Sequence, residues 1–209
     1  MTSSLQIKDC CIPDNIFEKA RHLFFQLGVR NTTMDDLAKE LGISKKTLYQ
    51  QIKNKADLIK FCVKYELQKD VDLIETISEN TENAIEELLI IAEHINEKLQ
   101  HFNPVMMREL SKFYPESNEL IEQHLENFAK NNIRNNLKKG IKQGLYRPDI
   151  NIEMTIFIQQ HLTFLPLNDK QEMGLNPSQI YQEIIRYNLY AIATPKGISL
   201  FEKLRNKKN

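Results

Sequence analysis

The stretch with the clearest capacity for chemistry reads SKKTLYQQIKNK, from Ser44 to Lys55. It holds four lysines (Lys45, Lys46, Lys53 and Lys55) and no acid, in a chain whose formal net charge is zero. Thr47, Tyr49, Gln50 and Gln51 lie among them and can all donate hydrogen bonds. Ammonium groups interleaved with neutral donors suit phosphates and the edges of bases. The competing reading is a solvated helix face, the usual role of a charge run.

Other chemistries find little support. The five histidines, His22, His94, His101, His124 and His161, form no H-E-x-x-H or related metal spacing. The three cysteines, Cys10, Cys11 and Cys62, make no C-x-x-C and no Cys/His cluster, so reduced thiols are expected, with a redox role for any of them left open. Glu86–Glu87 reads as a solvated pair rather than an acid/base couple. No Gly-rich phosphate loop or nucleophile elbow occurs. The expectation is a protein that is not an enzyme and holds no cofactor and no metal. Apolar runs such as LLII at Leu88–Ile91 are too short to cross a bilayer, and MTSSLQIKDCC lacks the apolar core of a signal peptide, so a cytoplasmic protein with no membrane partner is expected.

The elements that must position the basic stretch are helices. With 6 glycines, no tryptophan and few alternating β-branched runs, the 209 residues favour an all-α fold. Asp14 is expected to cap a helix to Leu27, with Ile16, Ala20, Leu23, Phe24 and Leu27 on one face, stopped by Gly28. In TMDD, Thr33 and Asp36 form a capping box that opens a short helix over 34–41, broken by Gly42. Ser44 caps the next helix, which turns Leu48 and Ile52 inward, and a long fourth helix opens at 55–57. Residues 33–52 thus read as helix, tight turn, helix, with Gly42 at a positive φ and Ile43 plugging the angle. Further helices are expected at about 82–101, 104–113, 117–143, 152–165 (stopped by Pro166) and 178–193, with a short tail helix at 199–205.

Charge is segregated along the chain. Residues 72–126 carry thirteen acids against three bases, while residues 1–55 carry nine bases against six acids. A mildly basic head on an acidic body implies two modules with different partners. A second basic cluster, Lys130, Arg134, Lys138, Lys139, Lys142 and Arg147, is expected to balance the acidic helices rather than bind nucleic acid.

The segment IFEKARHLFFQLGVRNTTMDDLAKELGISKKTLYQQIKNKADLI, residues 16–59, resembles the DNA-binding domain of TetR-family transcriptional regulators. The resemblance implies an N-terminal helix-turn-helix domain at residues 10–60, with its motif at 33–52, and a helical ligand-binding and dimerisation domain at 61–209. In that frame Thr33 and Ser44 offer hydroxyls and helix N-termini to phosphates. Lys45, Lys46, Thr47, Tyr49 and Gln50 project into or along the major groove, with Lys46 suited to guanine and Gln50 to adenine. Gln51 bonds a phosphate or a base edge, and Lys55 clamps the backbone. The sequence departs from the family's usual residues at Lys46, where a small residue is common, at Gln51, often His or Tyr, and at Ile52, often aromatic. The expected partners are a double-stranded, palindromic operator, a second copy of the chain and a small-molecule effector that releases a repressor. His94, Phe102, Met106, Phe113, Phe128, His161 and Phe164 are the candidate pocket lining, and Tyr181, Ile184, Ile185, Leu189 and Ile192 the candidate dimer contacts. The alternative is a helix-turn-helix protein without a ligand, whose second half only dimerises or binds a protein.

Overall fold

The computed structural model describes residues 12–100, 103–168 and 176–206. Cys10, Cys11, Phe102 and the side chain of Phe164 lie outside the described residues. Among the described residues the regular secondary structure is all helical, apart from one isolated bridge between Tyr146 and Ala193. In order the helices are α1 (Asp14–Leu27), α2 (Met34–Leu41), α3 (Lys45–Gln51), α4 (Lys55–Asn80), α5 (Ala84–Gln100), α6 (Pro104–Phe113), α7 (Pro115–His124), α8 (Lys130–Lys142), α9 (Ile152–Asn168), α10 (Pro177–Ile192) and α11 (Pro195–Asn206). No described helix is long and apolar enough to cross a membrane.

Three local features depart from the expected boundaries. Asp14 is the first helical residue rather than the cap; Pro13 holds that position and makes no side-chain cap bond. The helix expected at 117–143 runs without a break over residues 115–142 but widens into a five-residue π segment, Leu125–Ala129, between the stretches numbered α7 and α8. The Gln160 side-chain amide donates to the Leu125 carbonyl there, satisfying a group that the widened turn leaves available. Finally, α9 runs through Pro166 to Asn168. Pro166 falls in the last turn, where its missing N–H costs a single bond near a helix end.

Two compact units result: residues up to Asp72 with Asn103–His124, and Leu73–Phe102 with Leu125–Asn209. The single boundary expected at residues 60/61 is therefore replaced by a discontinuous division. The first unit's core joins Ile16, Phe24, Leu37, Leu48, Leu58 and Ile59 to Met106 and Leu110 of α6, and Leu110 is fully buried. Phe17 adds an edge-on contact to Phe61 at 5.3 Å. The local sequence 12–63 cannot enclose this core alone; α6 supplies one wall.

The second unit packs α5, α8, α9, α10 and α11 around Ile85, Leu137, Tyr146, Ile156, Leu189 and Phe201. Much of its polar interior is matched, while the buried Asn96 Oδ1 has no partner among the described residues. The Tyr146 hydroxyl donates to Asn136 Oδ1 at 3.1 Å, and Asn136 Nδ2 donates to the Ala84 carbonyl at 2.9 Å. Burial pushes the Tyr146 hydroxyl well above the ordinary phenol range. Lys139 reaches the buried Glu87 at 2.6 Å and the Thr81 carbonyl at 2.9 Å. Arg134 pairs with Glu153 and Lys130 with Glu126, so the second basic cluster is largely engaged with acids of its own unit, as expected.

Gly140 sits against the Tyr146 ring. A Cβ there would lie 2.0 Å from Cδ2, on a ring fixed by its hydroxyl bonds. Gly140→Ala is expected to destabilise the second unit by about 1–3 kcal/mol, the usual cost of overpacking. A urea or thermal unfolding curve checks this, and an unchanged midpoint would mean that the ring is not fixed.

Candidate nucleic-acid interface

The interface is built from α2, a tight turn and α3. Thr33 caps α2 as a full capping box: its hydroxyl oxygen accepts from the Asp36 N–H at 3.1 Å, while Asp36 Oδ2 accepts from the Thr33 N–H at 2.9 Å. These bonds, the side-chain one first, hold the Asp36 carboxyl below its ordinary range. Gly42 follows in the left-handed conformation, φ 66°, which lets the chain reverse between α2 and α3. The Ser44 Oγ then caps α3, accepting from the Thr47 N–H at 3.0 Å. Leu48 and Ile52 are buried in the core and fix the roll of the helix.

That roll sends Lys45, Lys46, Tyr49, Gln50 and Gln51 to the surface, with Lys53 just beyond. Lys46 and Lys53 make no ion pair among the described residues, so their ammonium groups are available to an external anion. Neutral donors and free cations share one short helical face, an arrangement that can neutralise phosphates while presenting amides to base edges.

Several expected contact residues are spent elsewhere. Thr33 donates both its N–H and its hydroxyl to Asp36, so the hydroxyl expected to meet a phosphate is already committed to the cap. The Ser44 and Thr47 hydroxyls bond each other at 2.8 Å, which leaves one donor between them. Lys45 pairs with Asp35 at 2.7 Å, both exposed, and this raises the Lys45 pKa. Asp35 is a neighbour of this candidate face that the sequence reading missed, since the pair spans two helices. Lys55 is half-buried rather than extended; burial lowers its pKa, while the nearby Glu109 and Asp36 carboxylates act in the opposite sense.

The α1–α2 loop is clasped by α6. Glu109 Oε2 accepts from the Arg30 N–H at 2.8 Å, and Asn103 Nδ2 donates to the Gln26 carbonyl at 3.3 Å. The Arg30 guanidinium lies 5.1 Å from the Phe113 ring centroid. Nothing in the local sequence of the loop signals these partners, which come from about eighty residues away.

None of the five expected pocket residues with described side chains lines the cavity of the second unit. Met106 is buried in the first unit's core, and Phe113 is exposed beneath Arg30. His161 is exposed too, stacked on Phe157 at 4.0 Å with Nδ1 on the Phe157 carbonyl. His94 and Phe128 are half-buried in the second unit, and neither lines its cavity. That cavity, about 80 Å³, lies among α5, α8, α9 and α10. Leu88, Ile91, Ala92, Ile95, Ile133 and Ile185 form its apolar wall, and Asn132, Asn136, Gln159, Thr163, Tyr181 and Asn188 its polar wall.

The expected dimer residues need the same correction. Tyr181, Leu189 and Ile192 are buried within the protomer, and Ile185 packs beside Tyr181; of the five, Ile184 alone borders the outward groove on α9 and α10. The exposed apolar residues of those helices are Met154, Phe157, Ile158, Tyr187 and Tyr190. Cys62 is buried in the first core, its thiol pushed up to about 12 chiefly by desolvation, which makes it unreactive. Among the described residues no group of three or more His, Cys, Asp or Glu could hold a metal.

Residues 16–61 match the family model for bacterial regulatory proteins of the tetR family. An HTH-type transcriptional regulator of Staphylococcus aureus strain USA300 is 46% identical over 61 residues, covering 29% of this chain and 31% of the relative. One from the bovine strain RF122 / ET3-1 is 28% identical over 116 residues, 47% of this chain and 63% of that protein. The chain thus spans about a third of the length of the USA300 relative. Among solved structures, a TetR-family regulator from Agrobacterium tumefaciens has a TM-score of 0.72 at 18% identity, over 87% of this chain and 97% of that one. A regulator from Saccharomonospora viridis in complex with choline has a TM-score of 0.69 at 18% identity, over 86% and 96%. At such identities the likeness is one of fold, and it extends through both units.

Proposed function

We propose, from the match of residues 16–61 to the tetR-family model, that the chain is a TetR-family regulator: a homodimeric repressor that binds a palindromic operator and is released by a small molecule. The observation that carries the DNA-binding part is the outward face of α3, where Lys46, Tyr49, Gln50 and Gln51 are exposed on a helix rolled into place by Leu48 and Ile52. One such helix touches few base pairs. Two related by a two-fold axis, about 34–36 Å apart, read two half-sites and supply the missing affinity.

The second copy is supported by the apolar stripe on α9 (Met154, Phe157, Ile158) beside Tyr187 and Tyr190 on α10. These residues are exposed although α9 is apolar on its inner face too. A helix apolar all round has a second surface to cover, and packing of α9 and α10 against their two-fold copies covers it as a four-helix bundle. The release step is supported by the cavity in the second unit, because a ligandless regulator would have a solid core there. The Saccharomonospora regulator holds choline, but this cavity has no carboxylate and only Tyr181 as an aromatic wall, a poor match for a quaternary ammonium.

Genome-wide footprinting with the purified protein, followed by a salt titration on a recovered site, tests the DNA-binding part. The logarithm of the binding constant should fall linearly with the logarithm of salt concentration, with a slope of about −0.9 per phosphate neutralised. A flat salt response, or footprints without two-fold symmetry, would overturn the reading.

A further inference from the structure

We propose that the cavity of the second unit recognises the uncharged, hydrogen-bonding head of the effector, a primary amide or an alcohol, and excludes both anions and cations. The proposal rests on the effector part of the function above and assigns its chemistry. Every lining residue is neutral: no Asp, Glu, Lys, Arg or His borders the space. A charged ligand there would leave water without meeting an opposite charge, an expensive transfer.

The polar wall is not idle. Tyr181 is 2% exposed and Asn188 is 8% exposed, and neither side chain makes a hydrogen bond to a described residue. The enclosed side-chain polar atom without a partner among the described residues is Asn96 Oδ1; the Asn188 amide and the Tyr181 phenol border the cavity instead, and with no protein group to bond there they can pair with a guest that carries its own donors and acceptors. Asn136 and Asn132, by contrast, are already engaged, with Tyr146 and the Ala84 carbonyl and with Ser78. They set the wall rather than read the guest. Tyr181 and Asn188 lie seven residues apart on α10, two turns along one face. A head group with both a donor and an acceptor can bridge them, while Ala92, Ile95 and Ile185 hold its first carbons.

Size narrows the class. A dry cavity of 150 Å³ holds benzene, so about 80 Å³ takes roughly three or four non-hydrogen atoms on the same scale. That is a head and its first carbons. A longer effector must displace side chains to enter, which gives it a way to bind one conformation more tightly than another.

The test uses the whole chain and three probes of matched shape: acetamide, acetate and acetamidinium. Saturation-transfer NMR at constant ionic strength reads binding. Acetamide is expected to saturate and the two ions are not. Asn188→Leu, of similar volume, should weaken acetamide at least tenfold, and Tyr181→Phe should do the same in a second, independent variant. Retention of sheared genomic DNA is measured on each protein, with circular dichroism as the folding check. Equal or stronger binding of either ion, no change in folded Asn188→Leu and Tyr181→Phe, or no signal from acetamide (a cavity that holds water only) would each overturn the proposal. If DNA is retained while acetamide fails, the head-group assignment falls alone. If the wild-type protein retains no DNA, the regulator reading falls instead.

Discussion

The Lys46→Ala variant is expected to lose at least thirtyfold in operator affinity while folding as the wild type does. Lys46 is exposed, forms no ion pair among the described residues and sits on the solvent face of α3, so its removal opens no cavity. A good base-edge contact is worth about 1–3 kcal/mol. In a homodimer every substitution occurs twice, so the loss is about 2–6 kcal/mol, or roughly thirtyfold to ten-thousandfold. Two outcomes separate the roles open to this ammonium. If it reads a guanine, the loss is confined to operators that carry that base and discrimination at one position relaxes. If it binds a phosphate, affinity falls evenly across sequences and the salt slope drops by about 1 per copy. Gel-shift titrations on the recovered operator and on single-base variants distinguish them. Wild-type affinity for Lys46→Ala, with Tyr49→Ala equally silent, would place the DNA contact elsewhere.

The second large effect concerns assembly. Tyr187→Asp and Phe157→Asp each put a carboxylate into the outward stripe of α9 and α10. Tyr187 is 72% exposed and Phe157 56% exposed, so neither change disturbs the core of its own protomer. In the proposed dimer both positions are covered, and an unpaired buried carboxylate strongly disfavours the association. Sedimentation should show a shift from dimer to monomer at micromolar concentration, with helical circular dichroism retained. Operator affinity should fall by about a hundred- to ten-thousandfold, because the second half-site is no longer engaged as an intramolecular event. A dimer that persists in both variants would move the interface to another face.

The helix-turn-helix was legible in the sequence because each of its parts is local. Thr33 and Asp36 signal the start of α2, Gly42 the reversal and Ser44 the next start; all three behave as expected. The same locality misled about contacts. The Thr33 hydroxyl accepts from the Asp36 N–H and donates to the Asp36 carboxylate, so its O–H has a partner within the chain that the sequence reading did not count. The dimer residues were misassigned for a different reason. On α10, Tyr181, Ile185, Asn188 and Ile192 form one stripe, and Ile180, Ile184 and Tyr187 another, displaced by one residue. Periodicity finds both but does not say which faces the protomer's own core. The pocket was illegible because its walls come from four helices separated by up to a hundred residues. The π segment LENFA carries no glycine or proline that would have marked it.

The family-model match ends at residue 61, yet the core beneath it does not. Met106 and Leu110 are buried among Phe24, Leu48 and Leu58, and Glu109 holds the loop that precedes α2. A gene rearrangement that moved residues 12–72 onto another regulator's body would leave those apolar side chains facing water and the Arg30 amide without its carboxylate. The first unit of this chain is thus built from two separated segments, and substitutions in α1 and the α1–α2 loop have to remain compatible with those in α6.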